Sequence, residues 1–137
     1  LFRRAEILVR RGKPEGAEPL LREAVELNHG EAEFWAYLGW AIFNNRGDEG
    51  RQEAIAALDR AMDGDSQLDS VYEFQGRIAR IEGDLELAKK KFKQALKINP
   101  DNKDAARELR LVAMRDESSS KKQPNIIESI KGMFGKK

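Results

Sequence analysis

Nine small residues return in register along this chain, and that recurrence limits it to a stack of similar units. Ala17, Ala54 and Ala88 are each followed four residues on by Leu21, Leu58 or Phe92, and three further on by Ala24, Ala61 or Ala95. Upstream of each set sits Ala5, Gly39 or Gly76. The alanine sets are spaced 37 and then 34 residues, the upstream residues 34 and then 37. The reversal places an insertion of three residues between Gly39 and Ala54. The stretch Asn44-Asn45-Arg46-Gly47-Asp48-Glu49-Gly50 has the turn chemistry to hold it.

Each unit reads as two helices. Ala54, Ile55, Ala57, Leu58, Ala61 and Met62 fall on one face of a 3.6-residue period, as do Leu85, Ala88, Phe92, Ala95 and Leu96. Gly12-Lys13-Pro14, Gly83-Asp84 and Asn99-Pro100-Asp101 interrupt the pattern. The spacing predicts helices at about 1–11, 15–27, 31–45, 50–63, 67–82, 84–98 and 102–116. Small residues on a contact face let two helix axes approach, so that the bulky residue a turn later fills the neighbouring groove.

Composition narrows the functional classes. The 137 residues contain no cysteine and a single histidine, His29, which excludes a disulfide scaffold, a cysteine zinc site and a multi-histidine metal site. There is no Gly-rich phosphate loop. Charged residues make up 36% and hydrophobic ones 40%, against averages of about 25% and 45–50%, which suits an elongated helical chain with much surface. The last 20 residues hold five lysines against Glu128 alone, a net +4. That leaves the first 117, with 20 basic and 23 acidic residues, at −3. Such a body is a poor platform for nucleic acid, which demands a basic stripe. A start at Leu1, within an expected helix, reads as a segment of a longer protein. The expected location is cytoplasmic.

The recurring residues resemble the tetratricopeptide repeat, whose period is 34 residues. Tyr72, Gly76, Ala79, Ala88, Phe92, Ala95 and Pro100 follow its pattern in the third unit, and Trp35-Ala36-Tyr37-Leu38-Gly39 opens the second. The first unit carries His29 where the closing proline is expected, and Asn28-His29-Gly30 reads as a solvent-facing turn. The resemblance implies an all-α, right-handed solenoid of antiparallel helix pairs over 1–117. Its units run at about 1–31, 32–68 and 69–102, with a capping helix at 103–117 whose Arg107, Glu108 and Arg110 give a polar face. It also implies a non-catalytic scaffold or adaptor module, without cofactor or metal, that binds a peptide or helix of another protein in its concave groove.

The first helix of each pair faces that groove. Helix 31–45 carries Trp35, Leu38, Gly39 and Ile42 on one stripe and Glu33, Ala36, Tyr37, Trp40, Phe43 and Asn44 on another. The second stripe continues as Ser70, Glu73, Phe74, Arg77 and Arg80 in helix 67–82, and as Phe2, Glu6 and Val9 in the first. Two readings stand. The aromatic residues pack on adjacent first helices, or Tyr37, Trp40, Phe43, Asn44, Phe74, Arg77 and Arg80 form a partner-binding groove that prefers apolar anchors and a carboxylate. Family members that grip the C-terminal carboxylate of heat-shock proteins use lysine, asparagine and arginine on these helices. Phe2, Glu6, Tyr37, Ser70 and Phe74 stand at the matching positions, so no such clamp is expected.

Residues 118–124 read as a polar linker and 125–137 as a basic amphipathic tail. Ile126, Ile127, Ile130, Met133 and Phe134 share one helical face, while Gly132 and Gly135 weaken the helix. The tail is expected to fray or to dock on an apolar patch of its own groove or a neighbour's. The docking option makes self-association the alternative function, with a homo-oligomer formed through the tail. Attachment to a membrane surface is disfavoured, because the apolar face is short.

Overall fold

The computed structural model describes residues 1–116. The linker at 118–124 and the tail residues Ile126, Ile127, Ile130, Met133 and Phe134 lie outside them. Among the described residues the chain is all-helical, with no strand: α1 (Phe2–Arg10), α2 (Pro14–Leu27), α3 (Ala32–Arg46), a 3-10 turn at Gly47–Gly50, α4 (Arg51–Gly64), α5 (Asp69–Ile81), α6 (Leu85–Ile98) and α7 (103–116). Helices α1 and α2, α3 and α4, and α5 and α6 pair, and the pairs stack as a solenoid. None of the helices is long and apolar enough to cross a membrane.

The recurrent small residues are the contact points of the pairs. Ala5, Ala17, Ala54, Ala61, Ala88 and Ala95 are fully buried. A Cβ on Gly39 would meet the Ala54 carbonyl oxygen at 2.8 Å and Leu58 Cγ at 2.9 Å. One on Gly76 would meet the Phe92 ring at 2.7 Å. Close approach thus seats Leu58 and Phe92 against the backbone of the preceding helix.

The turns within the outer pairs share one geometry. Gly12 and Gly83 adopt positive φ, and the backbone N–H groups of Lys13 and Asp84 close them by donating to the Leu8 and Ala79 carbonyls, each at 2.9 Å. The middle pair differs as the inserted residues require. Asn44-Asn45-Arg46 continue α3 rather than turning, Gly47 ends it at a φ of 61°, and Gly47–Gly50 supply the turn.

Helix α3 occupies the middle of the stack. Ala36 through Phe43 are all buried, since α2, α4, α1 and α5 each take part of its circumference. Helix α7 covers the last pair with Ala105 and Val112. Of the polar face expected for it, Arg107 and Arg110 are exposed, but Glu108 is 8% exposed and faces inward. It meets Arg80, whose Nε lies 2.9 Å from Glu108 Oε2 in an ion pair without hydrogen-bond alignment. Leu111 and Met114 stand exposed instead.

Candidate functional site

The first helices α1, α3 and α5, with α7, line the inner face of the stack. Their aromatic side chains touch one another. Phe2 stacks on Phe34 with ring centroids 4.6 Å apart and meets Tyr37 edge-on at 5.1 Å. Tyr37 meets Phe74 edge-on at 4.9 Å, and Phe74 stacks on Trp40 at 5.8 Å. Tyr37, Trp40, Phe43 and Phe74 are each only 3–4% exposed. Of the two readings, this burial agrees with packing on adjacent first helices. Periodicity shows that α3 is apolar on two faces; the neighbouring first helices cover the second.

The two arginines are also engaged. Arg77 Nη2 donates to Glu73 Oε2 at 2.8 Å, and its guanidinium lies 5.5 Å from the Trp40 ring centroid. Arg80 faces Glu108. Each arginine thus already faces a carboxylate of its own chain. Tyr37, Trp40, Phe74 and Arg77 come together, with Val9 and Arg107, on a cleft of about 160 Å³. Phe43 and Asn44 line a separate depression with Gly47 and Ile81. His29 is exposed in its turn, as expected, and its carbonyl accepts the Trp35 indole N–H at 2.9 Å.

A second chamber, of about 370 Å³, adjoins that cleft. Its wall carries Glu6, Glu33, Asp69, Glu73, Asp101 and Asp104 against Arg10 and Lys103, a formal −4. Arg10, Tyr37, Glu73 and Asp104 border both chambers and separate them. The partition is a hydrogen-bonded network. Arg10 pairs with Asp104, bridging α1 and α7, and donates to the Tyr37 hydroxyl at 2.9 Å. The Tyr37 hydroxyl donates to Glu6 at 3.3 Å. Burial pushes the Tyr37 phenol up, so it remains a donor.

On the far wall the Nδ2 groups of Asn99 and Asn102 donate to Asp69 at 3.0 and 2.9 Å, and Asn102 also to Glu73 at 3.1 Å. Burial pushes the Glu73 carboxyl up despite Arg77 and Asn102. Burial, followed by the charges of Glu6, Glu31 and Asp69, also raises Glu33. Among the described residues no cation lies within ion-pair distance of Glu33 or Asp69. No cluster there is arranged to hold a metal ion.

The chamber was legible in part. The stripe that holds Tyr37 and Phe74 also holds Glu6, Glu33, Ser70 and Glu73. Asp69 and the α6–α7 residues Asn99, Asp101 and Asn102 lie off that stripe, and only the stacking brings them in.

Comparison with known proteins places this architecture. Residues 69–102 match the tetratricopeptide repeat family model. No curated protein sequence matches the chain. The first TPR domain of human RPAP3 is 18% identical, with a TM-score of 0.65 over 87% of this chain and 91% of that one. The first TPR of Spaghetti (RPAP3), solved bound to an HSP90 peptide, is 18% identical, with a TM-score of 0.62 over 83% and 88%. The second TPR domain of human RPAP3, solved in complex with an HSP70 peptide, is 23% identical, with a TM-score of 0.58 over 80% and 89%. At these identities the likeness is one of fold.

Proposed function

We propose that this chain, a member of the tetratricopeptide repeat family, is a non-catalytic protein-interaction module that holds an extended peptide or a helix of another protein on its inner face. The observation that carries the reading is the two-chambered cleft bordered by Tyr37 and Glu73. It is concave and lined by side chains from α1, α3, α5 and α7. The cleft is lined by Tyr37, Trp40, Phe74 and Arg77, whose rings are packed and whose guanidinium is paired, so a guest meets mainly the polar groups around them. That two proteins of this fold were solved with peptides supports the same reading. The clamp positions Phe2, Glu6, Tyr37, Ser70 and Phe74 supply no cation, so the reading does not include a carboxylate clamp at those positions.

Peptides selected from a random displayed library on the full chain test the reading. Their amide chemical-shift changes should map to α1, α3, α5 and α7 around Tyr37 and Phe74. Changes confined to the outer helices α2, α4 and α6, or a selection without binders, would overturn it.

A further inference from the structure

The acidic chamber has more negative charge than its own residues neutralise. Arg10 is spent on Asp104 and Tyr37, and Arg77 on Glu73. Asp69 receives only neutral amide donors, and Glu33 has no ion-pair partner among the described residues. A second, independent feature marks the same wall. Ser70 is 7% exposed, and its hydroxyl has no hydrogen-bond partner there. A buried hydroxyl left unsatisfied costs about 1–3 kcal/mol, so this one calls for a partner at the chamber wall. The volume lies within the range of about 300–1,000 Å³ typical of ligand sites. The carboxylates are spread around the wall rather than gathered as metal ligands, which suits an organic cation on a flexible stem.

We propose that this chamber is a subsite for the lysine or arginine side chain of a basic peptide segment, its charge held between Glu33 and Asp69 and a donor N–H reaching Ser70 Oγ. The proposal deepens the peptide-binding reading and rests on it. Basic segments come from two sources: another protein, or the lysine-rich residues 118–137 of this chain, whose net +4 complements the chamber.

The test uses the full chain and three synthetic peptides of equal length: an unrelated lysine- and arginine-rich sequence, an acidic counterpart, and residues 118–137. Calorimetric titration should show the basic peptides binding at least tenfold more tightly than the acidic one. The Glu33→Gln, Asp69→Asn double variant, which keeps side-chain shape, should lose at least tenfold of that affinity. Ser70→Ala should lose a few-fold. Because the chain has no cysteine, Lys137→Cys accepts a single spin label. Broadening of the Glu33, Asp69 and Ser70 amides that a basic peptide reverses identifies the chain's own segment as occupant; no broadening, with the unrelated peptide still binding, assigns the subsite to a partner. Equal binding of the acidic peptide, or undiminished binding to the double variant, would sink the subsite. Should the double variant not fold, affinity of the wild-type chain for the basic peptide that is unchanged between low and high salt has the same consequence. A peptide that binds the inner face without charge preference removes this inference alone. A basic peptide that binds the outer helices removes the peptide-binding reading itself.

Discussion

Glu33 sits in a field of its own sign. Burial and then Glu6, Glu31 and Asp69 raise its carboxyl, so the folded chain holds that proton to higher pH than the unfolded chain does. The sign follows: stability falls as pH rises from the ordinary carboxylate range, about 4.3, through the raised value. Glu33→Gln should therefore raise the thermal midpoint at pH 7, and the gap from wild type should shrink below that range in a pH series of melts. Glu18 behaves oppositely. Burial alone would raise it, but bonds from Asn45, Arg46 and Arg22 outweigh burial and hold it low, so its contribution is lost as pH falls through the lowered value. At this scale the sequence is only partly legible. Arg77 finds Glu73 one helical turn away, a spacing that can be read directly. Arg80 finds Glu108 beyond two loops and the whole of α6, which no periodicity reports.

Helices are the level at which the sequence is most legible. All seven begin within two residues of their expected starts, and α1 to α6 end within one residue of theirs, because apolar period and turn residues are local properties. The exception is Asn44-Asn45-Arg46, turn-forming in composition yet helical, since Gly47 three residues later provides the positive φ that ends α3. Pair packing depends on the missing side chain of Gly76. The Phe92 ring that a Cβ would strike is fully buried and has nowhere to retreat. Gly76→Ala should cost about 1–3 kcal/mol in urea unfolding, as overpacking does. Gly30→Ala should be nearly neutral, since the nearest atom to its Cβ is 3.7 Å away.

Across the whole molecule, two apolar clusters meet at α5, and α7 completes the second of them around Phe92. End units protect a solenoid whose repeats touch only their neighbours. A chain ending at residue 101 loses Ala105 and Val112 from that cluster, strands Arg80 without Glu108, and leaves Arg10 with only Tyr37 and Glu6. It should melt at a lower temperature than the full chain by circular dichroism; an equal midpoint would show that α7 lends no support. The net charge of the first 117 residues is readable, but its concentration on one inner wall is a property of the stacking alone. The ion pair between Arg10 and Asp104 carries a consequence for the length of guest the cleft admits. It fastens α1 to α7 across the cleft's midline, so a guest long enough to fill both chambers must displace that pair, while a guest confined to one chamber leaves it intact.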